Sequence, residues 1–269
     1  MAATDSAFKG SIPTLYEQYL GPLMFEPFAQ DLAGRLTDIT EGRIVETAAG
    51  TGIVTRAMAK TLPPQVEITA TDLNQAMLDH AQTRLQAPNV RWLQADAQAL
   101  PFESSSFDAV VCQFGVMFFP DKLSGYREAL RVLKPGGRFL FNVWNSLDLN
   151  PVSRIVSETV AKAFPDDPPR FIERVPFGYF DPDRIRGEVQ QAGFENVEIG
   201  VVDKVSRAPS PQEPAVGLCQ GTPLRAEIEA RAPERLDEIT ARATEALSGH
   251  FGTASFENRM SAVFVTAWR

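Results

Sequence analysis

The stretch GRIVETAAGTGIVTRAMAKTL, residues 42–62, decides the fold, because a short apolar run meets a glycine turn and then a segment with helical periodicity. GRIVETA is typical of a buried strand, and GTGIVTRAMAKTL is typical of a helix that begins directly after the turn. A strand joined to a helix by so short a turn is the repeating unit of a parallel sheet.

The same alternation of strand and helix continues along the chain. Further strands are predicted at VEITATD, VRWLQAD, FDAVVCQFGV and RFLFNVW, and the last two at ENVEIGVV and SAVFVTAWR. Amphipathic segments separate most of them, and right-handed crossovers then give helices on both faces of the sheet. The sequence therefore predicts an α/β protein with a doubly wound, Rossmann-like sheet of seven mostly parallel strands.

Two helix boundaries are predicted from capping residues. Asp121 is placed to cap a helix whose inward face ends at Leu133 and which stops at residues 135–137, Pro-Gly-Gly. Asn150 is placed to cap a later helix that begins with a proline.

The alternation of strands and helices begins near residue 41 and divides the chain into an N-terminal segment and a main domain. Residues 1–40 are rich in aromatics and are expected to form two or three short helices over the active site, interrupted at Gly21-Pro22 and Pro27. Residues 41–269 form the main domain, with helical cap insertions expected at about 148–178 and 208–252.

Composition narrows the possible partners. The 269 residues include 34 acidic and 26 basic side chains, a net charge of −8, which argues against an RNA or DNA partner. No apolar run reaches the length of about 18 residues that spans a bilayer, and no signal peptide is recognised, so a cytoplasmic protein with no membrane partner is expected. Cys112 and Cys219 show no metal-ligand spacing; no metal site is predicted, and Cys112 is expected to be a buried thiol.

The turn after the first strand is the place to look for a ligand, because parallel sheets bind ligands at the carboxyl ends of their strands. Glu46 ends the strand, and Gly50 and Gly52 lie in the turn. Small residues there let a ligand approach the backbone, and the first N–H groups of the next helix receive anionic groups. A glycine turn alone is also common where no ligand binds.

Acidic residues end the next two strands. Asp72 follows Gly52 by about 20 residues and can accept hydrogen bonds from a ribose diol, or else it caps the helix that starts near Asn74. Asp96, followed by Ala97, can accept a bond from an adenine amino group or be a solvated turn residue. A glycine turn and two acids at three successive strand ends favour the functional interpretation.

At this point the motifs resemble a known family. VETAAGTG, TATDLNQAML, LQADAQALPF, FDAVVCQFGVMFF and LRVLKPGGRFLF resemble the successive motifs of class I S-adenosylmethionine-dependent methyltransferases. The similarity is greatest to the small-molecule group that includes the ubiquinone and menaquinone biosynthesis methyltransferases. It covers roughly residues 40–145, with weaker agreement at AGFENVEI and AVFVTA. The resemblance implies S-adenosylmethionine as cofactor and S-adenosylhomocysteine as product.

The resemblance also implies roles for individual residues. Glu46 and the turn Ala48–Gly52, which includes Ala49, would approach the methionine part of the cofactor. Asp72 would hold the ribose hydroxyls, with Leu73 and Met77 beside the adenosine.

Residues of the third and fourth strands complete the implied site. Asp96 and Ala97 would bind the adenine edge, and Gln113 and Phe114 would face the methionine portion and the transferred methyl group. Tyr19 either closes over the cofactor or packs the N-terminal helices onto the core.

The sequence departs from the family at one position, since Ala48 stands where the family usually has its first glycine. Alanine is small, so cofactor binding is expected to survive with a slight shift of the turn. The competing dinucleotide-binding pattern is disfavoured, because Ile53 and Val54 follow Gly52 and no third glycine stands at the required spacing.

The leading hypothesis is methyl transfer by in-line displacement to a small, apolar or aromatic metabolite, by a monomer or homodimer. The alternatives are a non-catalytic S-adenosylmethionine-binding regulator and a protein methyltransferase of the same fold. No general base is assigned. The chain has two histidines: His80 is expected at the surface, and His250 is expected to follow the last cap helix.

Overall fold

The computed structural model describes residues 10–269, and seven strands within that range form one sheet. The strands are β1 Gly42–Glu46, β2 Val66–Asp72, β3 Val90–Gln94, β4 Phe107–Gln113, β5 Leu133–Trp144, β6 Asn196–Ala208 and β7 Phe256–Trp268. Their order across the sheet is β3-β2-β1-β4-β5-β7-β6. The pairs β1–β2, β1–β4, β2–β3 and β4–β5 are parallel, and β5–β7 is antiparallel. The predicted fold class is confirmed.

Helices connect the strands. They are α1 Ile12–Leu15, a π-helix Tyr16–Phe25, α2 Glu26–Gly34, α3 Ile53–Thr61, α4 Gln75–Arg84, α5 Lys122–Val132, α6 Pro151–Ala163, α7 Phe171–Arg174, α8 Pro182–Gln191, α9 Gln212–Gln220, α10 Leu224–Glu229 and α11 Leu236–Phe251, with short 3₁₀ turns at Val116–Phe118, Leu147–Leu149 and Pro233–Arg235. Among the helices of residues 10–269, none is long and apolar enough to cross a membrane.

The chain forms two compact units. One consists of Phe28–Trp144, Tyr179–Val202 and Ala262–Arg269; the other consists of Asn145–Gly178, Asp203–Ser261 and, within its N-terminal part, residues 10–27. The first nine residues of the predicted N-terminal segment lie outside the described range. The expected domain limits, and the expected covering of the active site by residues 1–40 and the two caps, stay predictions.

The first unit has its core on the strands that the sequence shows as apolar runs. Strands β1, β2 and β4 are buried along most of their length, as expected of central strands covered on both faces. The fully buried side chains of this unit include Phe28, Leu36, Ile44, Met58, Ile68, Phe107, Tyr126, Phe139, Phe141 and Phe194. Cys112 lies among them as a free, buried thiol, as predicted.

The second unit is mainly helical. Its helix α11 packs against α9 and α6, and α9 also contacts the π-helix. Small residues permit these close approaches: a Cβ on Gly217 of α9 would lie 2.5 Å from Leu20 Cδ2. Gly21 and Pro22 lie inside the π-helix rather than between helices, because its wider turn, in which the Glu26 N–H reaches the Gly21 carbonyl, accommodates the proline.

Capping predictions had mixed outcomes. Asp121 caps α5, since its side chain accepts from the Ser124 N–H at 3.1 Å. Leu133 ends α5 as its buried C-cap, with its N–H donating to the Ala129 carbonyl, as the predicted inward face requires. The predicted stop at residues 135–137 lies too late, because Leu133 already begins β5 and pairs with Phe107.

The predicted start of α6 is confirmed, with Asn150 at the N-cap position and Pro151 as the first helical residue, but the Asn150 side chain makes no capping bond. Its Nδ2 donates to the Ser146 and Ser261 carbonyls, and its Oδ1 accepts from the Ser261 N–H at 3.1 Å. The Asn150 amide therefore bonds to Ser261 of β7, which is distant in sequence, instead of to the first turn of α6.

Candidate functional site

The turn between β1 and α3 is wound in the left-handed region. Ala48, Gly50 and Gly52 have φ values of 53°, 56° and 79°, respectively. The two glycines serve different purposes. A Cβ on Gly52 would lie 2.6 Å from the Trp92 ring, whereas one on Gly50 would meet only Met77 Cε at 4.0 Å. Position 52 therefore requires glycine because a side chain would collide with Trp92. Position 50 favours glycine because of its left-handed backbone, and the absence of a side chain leaves open space beside the turn.

Asp72 at the end of β2 is bonded to this turn. Its Oδ2 accepts from the Gly50 N–H at 2.8 Å, and its Oδ1 accepts from the Asn74 N–H at 2.8 Å. The side chain is buried, and burial raises the pKa of the carboxyl while these hydrogen bonds lower it. The N-cap of α4 is Asn74, so Asp72 is not its capping residue. A carboxylate has about four acceptor positions, so Asp72 keeps capacity for ribose hydroxyls.

Glu46 at the end of β1 is more deeply buried, with 1% of its surface exposed. Thr55 Oγ1 of α3 donates to Glu46 Oε2 at 2.6 Å. Burial raises the pKa of Glu46 to about 8; the Thr55 bond opposes this rise, and the charge of Asp72 adds to it. Because β2, β1 and β4 are parallel neighbours, this carboxyl lies at the same edge of the sheet as Asp72.

The residues predicted to hold the adenosine surround the ends of β2 and β3. Leu73 is one of the few large apolar side chains that are exposed, at 51%, and its carbonyl accepts from Gln94 Nε2 at 2.9 Å. Met77 is buried on α4. Asp96 closes a local turn by accepting from the Gln98 N–H at 2.8 Å. Ala97 in the same turn is half-buried.

Gln113 and Phe114 end β4, and Phe114 takes an unusual conformation. Its φ is 50°, and its N–H donates to the Asn142 carbonyl at 3.1 Å and to Asn142 Oδ1 at 3.0 Å. The Phe114 ring stacks on Trp144 with 3.9 Å between centroids and an interplanar angle of 8°. Phe28 meets the Phe114 ring edge-on at 5.3 Å. We call Phe28, Phe114 and Trp144 the aromatic wall.

Sequence reasoning missed three residues of this site, Thr55, Asn142 and Trp144, whereas Phe28 belongs to the aromatic N-terminal segment expected over the active site. Asn142 carried a signal, because it is a single amide in the otherwise apolar strand RFLFNVW. The paired register of Gln113 and Asn142 places both on one face of the sheet. Thr55 carried no signal, since a threonine on a helix is an ordinary core residue.

Three further candidates from the sequence are described by their own surroundings, Tyr19 and His250 in the helical unit and His80 on α4. Tyr19 is half-buried in the helical unit, with its Cβ 3.1 Å from where a Cβ of Gly217 would stand, so the packing role is supported and the cofactor role stays a prediction. His250 lies in the last turn of α11 rather than after it, exposed and edge-on to Phe251. The prediction of a surface His80 is wrong in part, because its Nε2 is buried without a partner.

Comparisons with known proteins agree with this geometry. A methyltransferase domain model matches residues 44–137. The ubiquinone/menaquinone biosynthesis C-methyltransferase of Klebsiella pneumoniae is 31% identical over 170 residues, which are 58% of this chain and 67% of that protein. The corresponding enzyme of Yersinia pestis matches to the same extent, 31% over 170 residues.

Solved structures share the fold. A methyltransferase of Bacillus halodurans, described as putative, superposes with a TM-score of 0.55 at 20% identity and covers 88% of this chain and 97% of its own. A phosphoethanolamine N-methyltransferase 2 of Haemonchus contortus, in complex with phosphomonomethylethanolamine and S-adenosylhomocysteine, superposes with a TM-score of 0.60 at 18% identity. That match covers 96% of this chain and 56% of the other.

The chain belongs to the class I S-adenosylmethionine-dependent methyltransferases. It is an enzyme that takes S-adenosylmethionine as methyl donor. The residues present fit that cofactor. Glu46 and Asp72 are buried carboxyls that would suit a cationic ligand carrying a ribose, and the exposed Leu73 would offer an apolar surface to a purine. Thr51 Oγ1 and Asn142 Nδ2 are buried without protein partners, which leaves polar atoms for a ligand.

Proposed function

We propose that the enzyme transfers the methyl group to a small, apolar or aromatic metabolite. The observation that carries this proposal is the aromatic wall of Phe28, Phe114 and Trp144 at the end of β4. Met117 and Phe119, in the turn that follows, are buried apolar side chains. The side chains of Phe28, Phe114 and Trp144 are 1%, 6% and 2% exposed, so they form an apolar layer inside this unit. An acceptor placed against that layer would bind by removal of its apolar area from water and by ring stacking.

Sequence similarity supports a small acceptor. The Klebsiella relative is named for carbon methylation in ubiquinone and menaquinone biosynthesis, and the Haemonchus neighbour for nitrogen methylation of phosphoethanolamine. Both names denote small molecules. A monomer or homodimer in the cytoplasm, with no nucleic-acid or membrane partner, remains part of the proposal.

The chemistry requires alignment above all. S-adenosylmethionine supplies a methyl group on a sulfonium, which is a good leaving group. In the displacement the carbon–sulfur bond breaks, the acceptor's lone pair forms the new bond, and the acceptor's proton passes to solvent. The chain's contribution is to orient the reactants and exclude water. The two hydrogen bonds from the Phe114 N–H to Asn142, and the stacking of the Phe114 ring on Trp144, hold that ring in one orientation.

The test uses methyl-labelled S-adenosylmethionine, an extract of small metabolites and mass spectrometry. We expect a labelled low-mass product whose fragmentation identifies the methylated atom. The Asp72→Ala variant, with impaired cofactor binding, supplies the negative control. Label recovered in protein, with none in the low-mass fraction, would overturn the proposal in favour of a protein methyltransferase.

A further inference from the structure

Glu46 is a buried carboxyl that has no ion-pair partner among residues 10–269. Thr55 donates to it at 2.6 Å, and a hydroxyl is a neutral partner. Within residues 10–269, no basic side chain forms an ion pair with Glu46. A carboxylate in such a place is costly unless a cation accompanies it. The structure therefore favours the protonated acid when no ligand is bound.

The charged and titratable groups around Glu46 come from each element packed against it. From α3, Arg56 lowers the pKa of Glu46 by its charge, and its Nη1 donates to the Thr51 carbonyl at 2.8 Å. From β2, the charge of Asp72 raises that pKa. From β4, the buried thiol of Cys112 has its own pKa raised, in part by Glu46. Burial outweighs all of these and places the pKa of Glu46 near 8.

We propose that Glu46 distinguishes S-adenosylmethionine from S-adenosylhomocysteine by exchanging a proton with solvent as the cofactor's charge arrives and departs. S-adenosylmethionine brings a sulfonium and an ammonium group, and S-adenosylhomocysteine retains only the ammonium. A nearby cation stabilises the carboxylate and lowers its pKa. Binding of the donor thus releases the proton of Glu46 to solvent. Methyl transfer removes the sulfonium charge, and Glu46 then takes a proton back from solvent. The site therefore binds the product less tightly than the donor.

The proposal rests on the cofactor binding with its methionine part beside Glu46, as the family resemblance implies, and it stands whichever acceptor the enzyme methylates. The experiment is titration calorimetry of both ligands between pH 6 and 7.5, in buffers that differ in ionisation enthalpy. For the wild type we expect most of one proton to be released per S-adenosylmethionine at pH 7, and less for S-adenosylhomocysteine. Affinity for the donor should rise by up to about tenfold per pH unit below the pKa of Glu46, more steeply than affinity for the product.

Glu46→Gln keeps the size of the acid and an acceptor for Thr55 but cannot titrate. We expect it to release no proton beyond that of the ligands' own ionisation, and to bind the two ligands in a ratio independent of pH. Glu67→Gln, a side chain that is 70% exposed near the opposite end of β2 from Asp72, should match the wild type. Equal proton release by wild type and Glu46→Gln would overturn the proposal.

Thr55→Val provides a second test that leaves Glu46 in place and applies if Glu46→Gln fails to fold. Valine matches the shape of this buried threonine but cannot donate to Glu46. Because the lost hydrogen bond favours the carboxylate, the pKa of Glu46 should rise. The pH at which donor affinity levels off, near 8 in the wild type, should then move upward, so this comparison extends the titration to about pH 9. An unchanged pH profile for Thr55→Val would also contradict the proposal.

Discussion

The Phe114 N–H donates to two oxygens of one residue, the carbonyl of Asn142 at 3.1 Å and its Oδ1 at 3.0 Å. Phe114 has a φ of 50°, a region that costs an L-residue about 1–2 kcal/mol. The two bonds offset that cost and fix the direction in which the chain leaves β4. The ring is thereby held against Trp144.

Asn142→Ala should lower the free energy of unfolding by about 1–3 kcal/mol, because a bond to a buried N–H is lost and a strained conformation loses part of its support. Urea denaturation measures the change. Asn196→Ala, at the exposed first residue of β6, is the matched control and should stay within about 0.5 kcal/mol of wild type. If the two variants had the same urea midpoint, Asn142 would not support the conformation of Phe114.

Ala48→Gly should stabilise the protein by about 0.5–1 kcal/mol. Glycine removes the backbone strain of an alanine at φ 53°, and that gain exceeds the entropic cost of the greater freedom that glycine gives the unfolded chain. The neighbouring Ala49→Gly lacks that relief and should be destabilising. Thermal unfolding of the pair measures the difference. If both substitutions lowered the melting temperature equally, the left-handed turn would carry no strain at Ala48.

The strand–turn–helix unit and Asp72 could be predicted because their signals are local. Glycines mark the turn between β1 and α3, and the following strand ends on its acid within the same short stretch. A period of two or of 3.6 residues is visible without knowing the neighbours. The order of the strands then follows from rules of handedness and connection.

The aromatic wall could not be predicted, because Phe28, Phe114 and Trp144 come from α2, β4 and β5. Only the sheet order and the register bring these segments together, and no spacing along the chain encodes that. Leu133 shows a smaller difference at an element boundary. Its spacing fits the buried face of α5, whose C-cap it is, but its pairing with Phe107 starts β5 before the predicted stop at residues 135–137.

Asp72→Ala should weaken binding of S-adenosylhomocysteine by about tenfold or more, equivalent to about 1.4 kcal/mol. The substitution removes an acceptor for the ribose hydroxyls and also the bonds that hold the Gly50 and Asn74 N–H groups. Calorimetry measures the affinity, and Asp79→Ala on the exposed face of α4 is the control. Equal affinities of the two variants would remove Asp72 from the site.

The stability of the unliganded enzyme should depend on pH through Glu46. Its pKa rises from 4.5 to about 8 on folding, so the folded state holds a proton that the unfolded chain releases. The stabilisation from the buried neutral acid is complete below the unfolded pKa and is lost as pH rises through the folded one. From pH 5.5 to 7.5, wild type should lose about 2–3 kcal/mol relative to Glu46→Gln.

Urea denaturation of both proteins at each pH isolates this difference, because groups that titrate alike in the two proteins cancel. Glu67→Gln, exposed on the same sheet, should follow the wild-type curve instead. Parallel curves for wild type and Glu46→Gln would mean that Glu46 is ionised in the folded protein, and that a cation or water reaches it. A widening gap would establish that the neutral acid is the resting form at this end of β1.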